Sequence, residues 1–283
     1  MSVEPLITVV LPVLDGLPWI EFQLDALTRQ DCSLPWELVV ADNGSSDGTA
    51  EVVTTWADRD DRIRLIDASA TAGPGAARNR GVATSSSRLL AFCDADDIVQ
   101  PGWLTACGEA LQDVDAAAGT FDFTLLNGGG PSLPVAAATK QLAFLPAALG
   151  SNMCVRRQAF ESVGGFCEDL LVGEDIDFSW RLQLAGHSFA VIGDAVVAKR
   201  EPLDARRVFS ASAAYGRSGA DLFRRFRSAG MGRDLEGATK EWLWLVLSSV
   251  GLFDPARRVR WMRTLGLRTG RLLGSFQQRV FFP

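Results

Sequence analysis

The sequence predicts an α/β protein built on a mainly parallel sheet flanked by helices, with a helical extension at its C-terminal end. Three observations predict it. Short continuous apolar runs alternate with amphipathic segments through the first hundred residues, small polar or acidic loops follow each run, and the balance of charge reverses near residue 198. Continuous apolar runs suit strands covered on both faces, and strand–helix alternation gives βαβ units whose strands lie parallel.

Ile7–Val13 reads as the first buried strand, and Trp19–Thr28 as an amphipathic helix with Ile20, Leu24 and Leu27 on one face. Glu37–Ala41 is the second strand, and Asp47–Trp56 a helix capped by its own Asp or Ser. Ile63–Ile66, Gly75–Ala83 and Leu89–Cys93 continue as strand, helix and strand. The alternation is lost over Ala116–Lys140, where small residues, a turn at Asn127–Pro131 and weak strand signals at Phe121–Leu125 and Val135–Ala138 predict a hairpin or irregular insertion. It returns with a strand at Met153–Val155, helices at Arg157–Val163 and Asp175–Gly186, and short strands at Ser188–Ile192 and Ala195–Ala198. Beyond Pro202 the pattern is helical and rich in arginine, so the domains are expected as 1–204 and 205–283.

The composition, 47% hydrophobic and 22% charged over 283 residues, excludes a disordered or collagen-like chain. The net charge of -6 conceals an asymmetry: residues 1–198 carry 11 basic and 27 acidic side chains, residues 199–283 carry 17 and 7. Five cysteines without a C-x-x-C pair suggest neither a zinc ribbon nor a complete disulfide framework, and fit a reducing cytoplasm. The first residues lack the pattern of a signal peptide, and the apolar stretch Trp242–Phe253 is shorter than the about 20 residues a membrane span needs. The single histidine, His187, excludes a His-rich zinc site and reads as a turn residue.

In open α/β sheets ligands bind beyond the carboxyl ends of the strands. The loops at those positions hold Asp15, then Asp42-Asn43-Gly44-Ser45-Ser46-Asp47, then Gly73-Pro74-Gly75 with Arg78, and finally Asp94-Ala95-Asp96-Asp97. Two carboxylates at i and i+2 after a buried strand suit a hard cation such as Mg²⁺ or Mn²⁺. The plainer alternative is that Asp97 caps a helix starting near Pro101 while Asp94 and Asp96 are solvated. Gly73-Pro74-Gly75 is a poor dinucleotide fingerprint, because it follows the third strand and Arg78 stands where the fingerprint wants glycine. Gly173-Glu174-Asp175 puts carboxylates at a helix start, where capping is the plain reading.

Taken in order, Val9–Asp15, Glu37–Thr49, Gly75–Gly81, Phe92–Asp97, Gly164-Gly165-Phe166 and Gly173–Asp177 resemble the family 2 glycosyltransferases of the GT-A fold, over about residues 6–200. The resemblance implies inverting transfer of a sugar from a nucleotide diphosphate sugar, most often uridine-linked. It implies that Pro12, Val13 and Asp15 line the nucleoside pocket, that Asp42 accepts from the base, and that Arg78 lies near the base or phosphates. It further implies that Asp94 binds ribose, Asp96 holds the divalent metal, and Asp175 is the general base. Glu174, Trp180 and Arg181 would border the acceptor, although Trp180 suits the core equally well. Two departures stand out: Asn43 replaces a second aspartate, and Lys199 stands where many relatives place a histidine beside the metal or diphosphate. Lys199 is expected near the leaving diphosphate, supplying charge and leaving the metal less tightly held, with a solvated strand-end lysine as the alternative.

Arginines interleaved with Phe, Trp and Leu over 206–283 suit the surface of an anionic membrane, which would place a cytoplasmic protein peripherally at the inner face. The same charges would also serve packing against, or dimerisation over, the acidic domain. No nucleic-acid motif accompanies them. The acceptor is expected to be a saccharide, a lipid-linked molecule or a secondary metabolite. Competing readings are a sugar nucleotidyltransferase, which lacks here a glycine- and lysine-rich N-terminal loop, and a non-catalytic nucleotide-sugar-binding scaffold, against which Glu174-Asp175 argues.

Overall fold

The computed structural model describes residues 4–128, 135–136, 142, 144–201, 204–249 and 253–283. Strand β1 (Ile7–Val13) is buried along its whole length, as its unbroken apolar sequence requires. It is followed by α1 (Ile20–Thr28), β2 (Trp36–Asp42), α2 (Thr49–Ala57), β3 (Ile63–Asp67), α3 (Pro74–Ala83) and β4 (Leu89–Cys93). These strands pair in parallel in the order β3-β2-β1-β4. α2 starts later than the sequence suggests, because Gly48, with φ 97°, takes the capping position and no side chain caps the helix. Asp47 accepts instead from the backbone N–H groups of Leu17 (2.9 Å) and Thr49 (3.0 Å), joining the loop after β1 to the start of α2.

Beyond β4 come β5 (Ile98–Val99), α4 (Trp103–Asp113), β6 (Ala116–Asp122), β7 (Val135–Ala136), β8 (Asn152–Arg156), α5 (Arg157–Ser162), α6 (Glu174–Leu184) and β9 (Phe189–Ala198). They extend the sheet in the order β4-β8-β6-β9-β5, with β7 on β6. β8 is antiparallel to both β4 and β6, whereas β6 and β9 are parallel, so this half of the sheet is mixed.

The run from Ala116 departs most from expectation. The sequence places a weak strand at Phe121–Leu125, but the chain forms the interior strand β6 from Ala116 to Asp122. Ala and Gly have little strand preference of their own, so tertiary pairing decides here. The turn and second strand expected at 127–138 fall partly outside the described residues; Val135–Ala136 pairs with Thr120–Phe121 as a hairpin. The two short strands expected at 188–198 are one strand, β9, whose register against β6 shifts between Ala118 and Thr120. Asn152 satisfies the backbone there: its Nδ2 donates to the Thr120 and Ala195 carbonyls at 2.8 and 2.9 Å, and its Oδ1 accepts from Trp103 Nε1 at 2.9 Å. A Cβ on Gly119 would lie 2.2 Å from the Ala195 oxygen, so only glycine fits that crossing.

Pairing places the polar ends. Because β8 runs antiparallel to β4, Asn152 lies opposite Cys93, which sets Gly150 near the carboxyl end of β4. β9 pairs with β5 so that Ala198 faces Ile98, and Lys199 therefore emerges beside Asp97. The core beneath includes the aromatic cluster Phe92, Phe160, Phe166 and Phe178, with Phe166 and Phe178 centroids 4.7 Å apart. All five cysteines are free thiols.

The chain divides into two compact units, residues 1–139 with 146–200, and residues 140–145 with 201–283. The second unit holds α7 (Ala205–Phe226), α8 (Leu235–Ser248) and α9 (Pro255–Gln277). Asp204 caps α7 by accepting from the Arg206 and Arg207 N–H groups. α7 and α9 approach backbone to backbone along Gly266, Gly270 and Gly274, where a Cβ on Gly270 would lie 2.1 Å from the Ala213 carbonyl oxygen. No described helix is long and apolar enough to cross a membrane.

Gly270→Ala is expected to lower the unfolding free energy by roughly 1–3 kcal/mol, because the added methyl forces two helix backbones apart. Gly232→Ala, where a Cβ meets open space, should leave it within about 0.5 kcal/mol. Urea denaturation followed by circular dichroism compares the two.

Candidate active site

The sequence of α3, with Pro74 in its first turn and glycine or alanine at 75, 76, 77 and 81, lets this helix lie close to the sheet and bury Arg78 at 3% exposure. Its Nη1 donates to Glu174 Oε1 at 2.7 Å and its Nη2 to Asp94 Oδ1 at 2.8 Å. Burial works against the guanidinium charge, but Asp94 and Glu174 outweigh it and raise its hold on its proton. Its neighbours are small by necessity: a Cβ on Gly150 would fall 2.7 Å from the guanidinium carbon, and one on Gly75 would sit 3.1 Å from Glu174 Cγ. Arg78 Nε is buried without a hydrogen-bond partner.

At the end of β4, Asp94, Asp96 and Asp97 each offer a carboxylate oxygen, and these lie within 4.8 Å of one another. Carboxylate oxygens are the ligand type that Mg²⁺ and Mn²⁺ prefer. Burial opposes ionisation of Asp94, yet Lys199 and Arg78 outweigh it and hold its carboxyl below the usual range. Asp97 does not cap α4, whose capping residue is Gly102. Its fully buried carboxylate accepts from Lys199 Nζ at 2.7 Å and from the Arg200 N–H at 3.0 Å. Burial, helped by the neighbouring Asp94 and Asp96 charges, pushes Asp97 up to about 7 despite the Lys199 ammonium. Lys199 also lies 3.5 Å from Asp94 Oδ2; burial disfavours its charge, but the two aspartates hold the ammonium firmly protonated. It is therefore not a solvated strand-end lysine. The Arg200 guanidinium stacks 3.6 Å above the Trp19 ring while its Nε donates to the Asp96 carbonyl at 3.1 Å.

α6 starts after Gly173, whose φ of 82° supplies the entry turn, and neither acid is its cap. Burial, with the Asp175 charge beside it, pushes Glu174 up to about 7 despite Arg78. Asp175 accepts from the Gly150 N–H at 2.9 Å through Oδ2 and from the Ile176 N–H at 2.8 Å through Oδ1. Burial raises its pKa, and these two donors moderate the shift. Two of the residues expected to border the acceptor, Trp180 and Arg181, have other surroundings on this helix. Trp180 is fully buried in the core, and Arg181 is engaged with Asp177 Oδ2 and the Val163 and Gly165 carbonyls, fixing the glycine loop before α6.

Asp15 and Asp42 lie at the adjoining ends of β1 and β2, joined through serines. Asp15, with φ 51°, accepts from the Ser46 N–H at 2.8 Å, and Asp42 accepts from the Ser45 N–H and hydroxyl at 3.0 and 2.6 Å. Pro12 and Val13 are buried within β1, just before this loop. Asn43 has its own use: it donates to the Ala68 and Thr71 carbonyls and accepts from the Gly73 N–H, tying the loop after β3 to the start of α3. His187 sits apart from these groups, with Nε2 2.7 Å from Ser162 Oγ, whose hydroxyl donates to the Ala159 carbonyl.

Gly150, Asp97, Arg200 and Gln23 escaped the sequence reading as working parts of this arrangement. Gln23 donates to the Asp94 carbonyl at 3.0 Å and accepts from the Val99 N–H at 2.9 Å, holding the acidic loop from α1. Its signal was available: a glutamine interrupting the apolar face of Ile20, Leu24 and Leu27.

The fold is shared with a mannosyltransferase from Pyrobaculum calidifontis bound to GDP-Man and Mn²⁺, at a TM-score of 0.65 and 18% identity over 98% of this chain and 88% of that one. TarS of S. aureus, in complex with UDP-GlcNAc, matches at 0.56 and 18% over 98% and 93%. These likenesses show that the chain has the GT-A fold. Residues 8–139 match the family model for glycosyl transferase family 2, and residues 90–272 that for glycosyl transferase family group 2. Glycosyltransferase AglE of Haloferax volcanii is 30% identical over 203 residues, 69% of this chain and 67% of the relative. The pre-mycofactocin glycosyltransferase of Mycobacterium tuberculosis is 30% identical over 176 residues, 56% of this chain and 37% of that protein. The chain belongs to glycosyltransferase family 2.

Glu174 makes stability depend on pH. Its folded-state value of about 7 lies above its ordinary 4.5, so the native protein holds a proton that the unfolded chain has lost. Stability should therefore fall as pH rises from the ordinary value of 4.5 through the folded one of about 7, by roughly 3 kcal/mol. Glu174→Gln should reduce that fall, leaving the part that Asp97 adds over the same range, when urea denaturation is repeated.

Proposed function

We propose that the protein transfers a sugar from a nucleotide diphosphate sugar, with uridine favoured as the nucleoside, to an acceptor hydroxyl with inversion at the anomeric carbon. The observation that carries this reading is the double engagement of Arg78. One guanidinium binds Asp94, on the strand end that bears Asp96 and Asp97, and Glu174, the neighbour of Asp175. A donor-side and an acceptor-side carboxylate group are thereby linked through one buried charge.

In this reading Asp42 and Asp15 receive the nucleoside, Asp94 the ribose, and Asp96 with its neighbours the divalent ion. Mg²⁺ or Mn²⁺, when bound, supplies charge stabilisation for the departing diphosphate. The nucleotide sugars and Mn²⁺ held by the structural neighbours support such a donor. Asp175 takes the proton of the acceptor hydroxyl as oxygen attacks the anomeric carbon and the diphosphate leaves from the opposite face. Two backbone N–H donors orient its carboxylate, and the raised pKa makes it a stronger base than an exposed aspartate. Lys199, held charged between Asp94 and Asp97, adds positive charge on the leaving-group side.

Asp175→Asn should lower kcat by roughly 10²–10⁴-fold while UDP binding measured by calorimetry is retained. The acidic limb of kcat/KM in the wild type should lie above the ordinary aspartate value of 3.8. Retained turnover in the variant would remove Asp175 from the role of base.

Lys199 already neutralises part of the acidic cluster, so Mn²⁺ should bind the nucleotide-free protein weakly. Lys199→His should tighten it, as read by paramagnetic resonance of the free ion. Unchanged affinity in the variant, with complete loss of wild-type activity in EDTA, sinks this role for the lysine.

A further inference from the structure

Many of the arginines that make the second unit basic are engaged within it. Arg268 is buried against Glu241 Oε2 at 2.8 Å, Arg224 and Arg225 meet Asp221, and Arg263 pairs with Glu201. A distinct surface remains where the end of α8 lies against the start of α9. Trp261 Nε1 donates to the Leu245 carbonyl at 2.9 Å, and the Arg260 guanidinium sits 5.0 Å from the Trp244 ring centre, fixing the two helices side by side.

The second half of α8 is apolar on both sides. Leu245 is buried, while Leu243, Val246 and Leu247, spaced to share one face, are exposed, Leu247 at 69%. Phe253, just before α9, is 97% exposed. A helix apolar all round belongs in a protein core or a bilayer. One turn of α9 before Arg260 and Trp261, which meet α8, stand Arg257, whose contact with Asp254 at 3.7 Å is exposed, and the exposed Arg258. A cationic rim around exposed aliphatic and aromatic side chains matches the boundary between anionic headgroups and acyl chains. A two-fold contact with a second copy through the same face would instead bring like arginine rims together.

We propose that this end of the α8–α9 pair docks on an anionic lipid bilayer. Leu243, Val246, Leu247 and Phe253 enter the interfacial layer, and Arg257 and Arg258 meet lipid phosphates. None of these residues belongs to the carboxylate site, so the docking can be tested apart from sugar transfer.

The test is co-sedimentation of the full chain with vesicles of phosphatidylcholine alone or mixed with phosphatidylglycerol. The protein should sediment with the anionic vesicles and be released as salt rises. Leu247→Ser combined with Phe253→Ser should weaken partitioning about tenfold or more, and Arg257→Gln or Arg258→Gln roughly fivefold each. Because these side chains are exposed, urea midpoints should stay at the wild-type value, which separates lost docking from lost folding. Failure of the wild type to bind anionic vesicles, or equal binding by the Leu247→Ser and Phe253→Ser double variant, overturns the proposal. Light scattering that shows a dimer broken by Leu247→Ser, without vesicle binding, also overturns it and assigns the face to a second copy.

Discussion

Arg78 carries its charge almost out of reach of water, and Asp94 and Glu174 make that tolerable. Removing one partner of such a buried arrangement typically costs about 3–5 kcal/mol, far more than an exposed ion pair contributes. Much of the surrounding sequence answers to this constraint. α3 is built from small residues so that the arginine can sink beside the sheet, Gly150 has no side chain because the guanidinium takes its space, and Gly75 leaves room for Glu174. The Gly150 N–H, brought up by the same close approach, reaches Asp175.

The mixed half of the sheet makes these meetings possible. Asp94 and Gly150 are far apart in sequence, and only the antiparallel pairing of β8 with β4 brings them to the same end. The pairing of β9 with β5 likewise delivers Lys199 to Asp97. Side-chain amides stitch the strand ends in place: Gln23 holds the acidic loop, Asn152 closes the register break between β6 and β9, and Asn43 ties two loops together. Gln23 and Asn152, both fully buried, satisfy backbone groups that would otherwise be buried without partners, a cost of about 1–3 kcal/mol apiece.

The second unit solves a different problem. Its helices α7 and α9 gain contact by glycine-lined backbone approach, which long side chains would prevent. Several arginines that look like a cationic surface in the sequence are instead partners for Glu241, Asp221 and Glu201. Net charge describes the unit as a whole, but burial and pairing decide which charges meet the outside.

The alternation of apolar runs and helices, the parallel strands β1 to β4, and the acidic clusters after them were legible in the sequence, because strand and helix periodicity and the carboxyl-end rule are local signals. The ordered motifs likewise carried the family, which independent matches across the chain bear out. The interior strand β6 was not legible, since Ala116–Gly119 has no strand preference and its place depends on β8 and β9. Nor were the work of Arg181 on the glycine loop or the role of Asp97 as the partner of Lys199. One residue's neighbours along the chain fix its local conformation, but its long-range partners depend on strand register, and register is set by the packing of the whole sheet.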